Sequence, residues 1–203
     1  MVKALEDIIA KSSRIVFFGG AGVSTESGIP DFRSVDGLYH QKFKYPPETM
    51  LSHTFYETHT AEFFDFYRQK LIVHGAKPNA AHLRLAALER EGKCRAVVTQ
   101  NIDGLHQAAG SKTVYELHGS TLRNYCTRCG KFFPVQFIED AAGVGDGVPR
   151  CDECGGIVKP DVVLYEEGLD EEVLSGAVDA IRHADTLIIG GTSLVVYPAA
   201  GLI

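Results

Sequence analysis

No apolar run in this 203-residue chain is long enough to cross a membrane, and its amino terminus lacks the long apolar core of a secretion signal. Positive charge is not in excess either. The formal net charge is −6, so composition gives no electrostatic case for binding nucleic acid. Internal repeats and low-complexity tracts are absent. These absences predict a globular, cytoplasmic protein with neither a membrane nor a nucleic acid as a direct partner.

The dinucleotide fingerprint G-x-G-x-x-G is incomplete in the glycine-rich stretch at residues 15–34, IVFFGGAGVSTESGIPDFRS. Gly20 and Gly22 supply two of its glycines, but Thr25 stands where the third would be. No clear acidic residue ends a second strand about 20 residues further on, as that fingerprint expects. The glycines alone are therefore equally compatible with a phosphate-binding loop and with an ordinary tight turn.

The residues around these glycines predict a strand at 15–18 that turns into a helix near Ser24. Such a turn would expose backbone N–H groups and the positive end of a helix dipole, both of which suit a phosphate. Gly28 and Pro30 disfavour continuation of that helix, so the second half of the stretch is predicted to be a loop. The stretch as a whole predicts a dinucleotide site with reactive groups on its first loop.

Alternating strands and helices predict the fold class. Helical periodicity predicts helices at 2–12, 55–73 and 78–91 and another through Leu174, Val178 and Ile181. Short apolar runs predict strands at 15–18, 96–99, 114–117, 162–165 and 186–189. This order predicts an α/β fold with a doubly wound, parallel, Rossmann-like sheet.

A polar cluster follows each of the five predicted strands: GGAG, QNID, HG, EE and GGTS. Ligands of such sheets bind beyond the carboxyl ends of the strands, so we expect these clusters to share one site. The predicted sheet domain covers residues 1–35, 76–119 and 159–203, with its carboxyl-terminal part truncated. Residues 36–75 are predicted to form a cofactor loop and helical insert, and residues 120–158 a zinc-binding module.

Two cysteine pairs predict a metal centre. Cys126 and Cys129 form one C-x-x-C pair, Cys151 and Cys154 form another, and a glycine follows each pair directly. Four thiolates favour a tetrahedral structural zinc. A catalytic zinc or a redox pair is the alternative, but catalytic sites usually keep a water and a non-cysteine ligand. Cys94 stands alone and is interpreted as a small buried hydrophobic residue.

A few polar residues could take part in a reaction at the carboxyl ends of the predicted strands. His118 follows a strand and precedes a glycine, and a neutral histidine can take a proton from a hydroxyl group. Asn101 and Asp103 could orient a carboxamide, a water or a ribose, and Asp31 and Arg33 lie on the first loop. Each could instead cap a loop or form a surface ion pair. No serine or cysteine nucleophile with a matched base is evident.

Taken in order, GAGVSTESGIPDFRS, TQNIDGLH, ELHG, the two C-x-x-C pairs and GTSLVVYPAA resemble the sirtuins, which are NAD-dependent protein lysine deacylases. The resemblance spans essentially the whole chain. It is strongest to bacterial members, partly through the run PDVVLYEE. It implies an acetylated lysine in a protein or peptide as substrate, NAD as a consumed co-substrate and one structural zinc ion.

The resemblance also implies roles for individual residues. The implied cofactor-binding residues are Gly20, Ala21, Gly22, Thr25, Asp31, Phe32, Arg33, Gln100, Asn101, Ile102, Asp103, Gly191, Thr192 and Ser193. Asn101 and Asp103 would also serve the reaction, with Asp103 holding the nicotinamide carboxamide. His118 would be the general base. The implied substrate-binding segment, Val163, Leu164 and Tyr165, would pair with the peptide as a strand.

The implied reaction begins when nicotinamide leaves C1′ of the ribose and the acyl oxygen attacks that carbon to give an imidate. His118 then helps to deprotonate a ribose hydroxyl, and the products are lysine, nicotinamide and O-acetyl-ADP-ribose. A non-enzymatic NAD- or ADP-ribose-binding module and a mono-ADP-ribosyltransferase remain alternatives. The family usually continues past PAA with a strand that carries an asparagine. Here Ile203 ends the sequence, so adenine-side contacts and a sheet edge are expected to be missing.

Overall fold

The computed structural model describes residues 2–32, 34, 37, 39 and 43–203. The helices are α1 (Val2–Lys11), α2 (Pro47–Met50), α3 (His53–Thr58), α4 (Thr60–Lys70), α5 (Ala80–Arg90), α6 (Leu105–Ala108), α7 (Val135–Asp140) and α8 (Glu171–Arg182). The strands are β1 (Ile15–Gly19), β2 (Cys94–Thr99), β3 (Val114–Glu116), β4 (Gly119–Cys126), β5 (Phe132–Pro134), β6 (Val158–Val162) and β7 (Thr186–Gly190). Within these residues, no helix is both long and apolar enough to cross a membrane.

The larger sheet is parallel and has the strand order β3-β2-β1-β7. Its central strand β1 is buried along its whole length, because the sequence IVFFG offers apolar side chains to both faces. Val16 and Phe18 pack with Ala177 of α8 in one core cluster, and Phe17 packs with Leu85 of α5 in another. The predicted parallel α/β sheet is therefore confirmed, including the strands predicted at 15–18, 96–99, 114–117 and 186–189.

The smaller sheet is antiparallel, with the order β5-β4-β6. The strand predicted at 162–165 is wrong in position and in partner. The observed strand is β6, Val158–Val162, which ends where the predicted strand begins. It pairs with β4 rather than with the parallel sheet. Beyond it, Tyr165 forms only an isolated bridge to Ser52. The apolar run was misleading because its residues pack against the small sheet and the helical insert.

The helix predicted after the glycine cluster is also wrong. The chain instead forms two short 3-10 turns, Ala21–Val23 and Thr25–Ser27. Gly28, with φ of 86°, takes a left-handed conformation that ends the second turn, and Pro30 has no N–H to extend one. This stretch therefore supplies no α-helix dipole for a phosphate.

The single helix predicted at 55–73 is broken into α3 and α4 at His59, whose φ of −132° is not helical. The two helices bury their aromatic side chains all the same. Phe63 and Tyr67 are fully buried in a core cluster that also contains Phe133 and Ile138 of the small sheet and α7. Helices α3 and α4 therefore share one apolar core with the cysteine-bearing module, which consists of β4, β5, α7 and β6.

Candidate functional site

A cavity of about 760 Å³ lies where the loops after β1, β2, β3 and β7 meet the small sheet. Most of the residues predicted for the site line it. They are Gly20, Ala21, Gly22, Asp31, Phe32, Gln100, Asn101, Ile102, Asp103, His118, Val163, Leu164, Tyr165, Gly191, Thr192 and Ser193. The exposed Thr25 does not line it, and its hydroxyl donates to the carbonyl of Gly22 at 3.0 Å. Arg33 lies outside the described residues.

The glycines of the first loop serve close packing of backbone on backbone. A Cβ atom on Gly20 would lie 2.9 Å from the carbonyl oxygen of Gly191, and one on Gly22 would lie 2.9 Å from the Cα of Gly191. Gly22 donates its N–H to Gly191, Gly20 donates to Gly190, and Val23 donates to Gly20. These three amides are therefore not available to a phosphate, because carbonyls within the chain already accept them.

A buried polar network connects the first loop to the loop after β2. Ser24 donates its hydroxyl to Oδ2 of Asp103 at 2.6 Å and accepts from Nδ2 of Asn101 at 3.1 Å. The other oxygen of Asp103 accepts the N–H of Leu105 at 2.9 Å. Both side chains predicted for chemistry are thus held in one orientation. Ser24 was not predicted as a site residue, because its position in the sequence resembles a helix start.

Asn79 is a second residue that the sequence did not reveal. Its Oδ1 caps α5 by accepting the N–H of Ala81 at 3.0 Å, and its Nδ2 donates to the carbonyl of Val23 at 2.7 Å and to Ser27 at 3.0 Å. One amide therefore fixes the first loop to the start of a helix. An asparagine after Pro78 and before a helical run is a typical helix cap, and that was the only local indication available.

His118 is oriented for accepting a proton. Its Nδ1 lies 2.9 Å from the carbonyl oxygen of Gln100. A carbonyl only accepts, so Nδ1 carries the proton and Nε2 holds the lone pair. Burial lowers the pKa of His118 below its ordinary value of 6.5, although the hydrogen bond to Gln100 acts in the opposite direction. The ring is therefore neutral near neutral pH and can act as a base.

Gln100 also connects two predicted parts of the site. Its side chain donates from Nε2 to Oγ1 of Thr192 at 2.9 Å, and its N–H donates to the carbonyl of Gly19 at 3.0 Å. The same residue thus fixes the ring of His118 and the loop after β7. The ends of β1, β2 and β7 consequently form one connected rim.

Two other histidines lie beneath this rim, away from the cavity. His82 and His106 are buried, with ring centroids 4.6 Å apart. Burial, helped by the neighbouring His82, lowers the pKa of His106 to about 4 against an opposing effect of Asp103. Burial also lowers the pKa of His82. His106 is therefore a neutral core residue rather than a group that faces the cavity.

The segment predicted to pair with a peptide already donates its amides within the chain. The N–H of Val163 binds the carbonyl of His118 at 3.0 Å, that of Leu164 binds Oε2 of Glu167 at 2.8 Å, and that of Tyr165 binds the carbonyl of Leu51 at 3.0 Å. A peptide strand added here would have to use carbonyl oxygens or displace Glu167.

The four predicted metal ligands converge. The Sγ atoms of Cys126, Cys129, Cys151 and Cys154 lie within 4.8 Å of one another. Sulfur atoms around a tetrahedral zinc with bonds of about 2.3 Å lie roughly 3.8 Å apart, so the set fits that ion. A glycine with φ of 72° follows each pair, which lets the chain turn tightly behind the thiols. The cluster is consistent with the predicted zinc ribbon.

Comparison with known proteins identifies the family. A family model described as the Sir2 family matches residues 20–198. The chain belongs to the Sir2 family. A Clostridium acetobutylicum protein named NAD-dependent protein deacetylase is 65% identical over 204 residues, and the match covers 100% of this chain and 82% of that protein.

Solved structures agree with this assignment of the sirtuin fold. A structure of Sir2 with a p53 peptide and NAD⁺ is 41% identical, with a TM-score of 0.87, and the match covers 100% of this chain and 80% of that one. A structure of Sir2 with a deacetylated p53 peptide and 3′-O-acetyl ADP-ribose is also 41% identical, with a TM-score of 0.90. That match covers 99% of this chain and 80% of the other. The predicted membership of the sirtuin family is therefore confirmed, and the similar deacetylase named above is bacterial.

Proposed function

We propose that this sirtuin is an NAD-dependent protein-lysine deacetylase. The observation that carries the proposal is His118, a neutral base held by the carbonyl of Gln100 at a cavity lined by the predicted cofactor and substrate segments. The similar relatives named NAD-dependent protein deacetylase support it, as do the Sir2 structures with peptide, NAD⁺ and acetyl-ADP-ribose.

The net reaction takes acetyl-lysine, NAD and water to lysine, nicotinamide and O-acetyl-ADP-ribose. NAD is consumed, and it supplies the ribose that receives the acetyl group. His118 would take the proton of a ribose hydroxyl at Nε2, because Nδ1 is held as a donor by Gln100. The enzyme needs no serine or cysteine nucleophile of its own, since a ribose oxygen attacks the acetyl carbon.

The remaining residues would bind and orient. Asn101 and Asp103, fixed by Ser24, would face the nicotinamide end, and Phe32 would cover it from the first loop. Gly191, Thr192 and Ser193 would lie at the adenosine half, where Thr192 is fixed by Gln100. The acetylated peptide would lie along residues 163–165. Each of these roles is a proposal that rests on position in the cavity.

The zinc would be structural, with all four thiolates as ligands and no position left for a substrate. It would hold the module together and supply no step of the reaction. Free thiols persist in a reducing compartment, so the four cysteines support a cytoplasmic location.

The direct test is incubation of the chain with NAD and an acetyl-lysine peptide. We expect one nicotinamide and one O-acetyl-ADP-ribose for each lysine freed, measured by mass spectrometry. The same peptide without its acetyl group is the control and should yield neither product. Binding of NAD without turnover would favour the non-enzymatic module instead. A gain of one ADP-ribose mass on a protein would favour mono-ADP-ribosyl transfer.

Replacing Asn79 with alanine should weaken NAD use as well as stability. The lost helix cap should lower the free energy of unfolding by about 1 kcal/mol. Loss of the bonds to Val23 and Ser27 should loosen the first loop and raise the KM for NAD several-fold, measured by initial rates. Asp170→Ala is the matched control. Asp170 caps α8 by accepting two backbone N–H groups at 2.9 Å, so its loss should cost similar stability and leave the KM for NAD unchanged.

A further inference from the structure

One arginine connects three strands around the corner that carries His118. Arg123, on β4, donates from Nη1 to Oε2 of Glu116 at 2.7 Å and from Nε to Oδ2 of Asp161 at 2.8 Å. Glu116 belongs to β3 of the parallel sheet, and Asp161 belongs to β6 of the antiparallel sheet. The guanidinium therefore joins the two sheets at the point where the chain passes from one to the other.

Burial and geometry both fix the ion pairs of Arg123. The side chain of Glu116 is only 7% exposed, and a buried carboxylate needs a partner of opposite charge. The planar guanidinium offers its N–H groups in a fixed fork, so it can bind two carboxylates at once in a set geometry. The corner itself is tight. Gly119 has φ of 74°, and a Cβ on it would lie 1.9 Å from the carbonyl oxygen of Asp161.

His118 stands between these fixed points, two residues after Glu116 and one before Gly119. Its carbonyl accepts the N–H of Val163, just beyond β6, and its Nδ1 binds the carbonyl of Gln100, just beyond β2. The residue thus connects the two sheets, through its backbone carbonyl on one side and its ring on the other. A shift of one sheet against the other would change the direction in which Nε2 points.

We propose that Arg123 is a positioning residue for the general base: by holding Glu116 and Asp161 together, it sets the orientation of His118. The inference rests on the proposed deacetylase function. The proposal predicts that loss of Arg123 slows only the later part of the reaction, because the base acts after nicotinamide has left. Departure of nicotinamide breaks the C1′–N bond of NAD as the acetyl oxygen bonds to C1′, and no proton has to be removed. Proton removal by His118 comes afterwards.

The experiment compares two rates in each variant with an acetyl-lysine peptide. Incorporation of labelled nicotinamide into NAD reports the early, reversible bond cleavage. Formation of O-acetyl-ADP-ribose reports the complete reaction, including proton removal. Misplacement of a reacting group by about 1 Å can cost about 100-fold in rate. For Arg123→Ala we therefore expect O-acetyl-ADP-ribose formation to fall about 10- to 100-fold while nicotinamide exchange changes about 3-fold or less.

Two further variants keep the test decisive if Arg123→Ala does not fold. Arg123→Lys retains the charge but lacks the fork, so it should restore only part of the lost rate. The double variant Arg123→Met with Glu116→Gln removes both members of the buried pair, and the only carboxylate that loses its partner is that of Asp161, which is 41% exposed to water. It should fold and show the same split between the two rates. Arg150→Ala is the matched control, because it removes the ion pair to Asp146 in the cysteine-bearing module, and it should alter neither rate.

The proposal is overturned if folded Arg123 variants lose both rates in proportion, which would mark a purely structural role, or if they lose neither. Both results presuppose a wild-type chain that forms O-acetyl-ADP-ribose. A wild-type chain that forms none would contradict the proposed function itself, so the two failures are distinguishable.

Discussion

Replacing His118 with alanine is expected to lower O-acetyl-ADP-ribose formation by about 100- to 10,000-fold, the range that a general base contributes. The fold should survive, because the ring makes one hydrogen bond, to Gln100, and lines a cavity rather than a core. Steady-state rates with an acetyl-lysine peptide check the first expectation, and a thermal melt checks the second. His183→Ala is the control, since His183 lies exposed at the end of α8. Near-normal activity in His118→Ala would exclude it as the base.

The pH dependence of the wild-type enzyme provides a second readout of the same residue. Burial lowers the pKa of His118, so the active, neutral form already dominates near neutral pH. The rate should therefore fall on the acid side only below pH 6.5, the ordinary value for histidine. Acid should also reduce stability in that range. The unfolded chain binds protons there that buried His82, His106 and His118 bind less readily.

Loss of the zinc is expected to have the second large effect. Structural zinc binds with a free energy on the order of 10 kcal/mol, and much of that is folding free energy of the module. Cys126 ends β4, the strand that starts beside His118, so disorder at the metal should reach the base. Cys129→Ala should abolish bound zinc, lower the melting temperature and abolish deacetylation. Zinc content by metal analysis, thermal melts and product formation measure the three effects.

Cys94 provides the matched control for that experiment. It is a buried cysteine of β2 outside the cluster, and its thiol donates a hydrogen bond to the carbonyl of Ala96 at 3.5 Å. Cys94→Ala should keep one zinc per chain and most of the activity. A Cys129→Ala protein that lost its zinc but deacetylated normally would show that the metal centre and the active site are independent.

The sequence predicted the features that are determined by residues close together along the chain. The buried strand β1 followed from an unbroken apolar run, and the metal centre followed from two C-x-x-C pairs with a trailing glycine. Burial was also predictable for the aromatic residues of α4, because their spacing is helical. What failed was local conformation decided by distant partners. Residues 162–165 have the composition of a core strand, but Tyr165 bonds to Leu51, more than a hundred residues earlier.

Residues that act by joining distant segments were the ones missed. Ser24 contacts Asp103, and Asn79 contacts Val23, across 79 and 56 residues of sequence. Neither residue type identifies its partner, since serine and asparagine occur at many helix starts and turns. Arg123 likewise resembles any charged residue on an exposed strand until Glu116 and Asp161 are found beside it.

The order of strands in the parallel sheet has a consequence for how the chain folds. The central strand β1 pairs on one side with β2 and on the other with β7, which begins only at Thr186. The antiparallel sheet, by contrast, is contained within residues 119–162. Short loops close before long ones, so we expect the cysteine-bearing sheet to assemble first during synthesis. Until β7 emerges, β1 keeps an apolar edge open, and this interval is when the growing chain is most prone to pair with another copy.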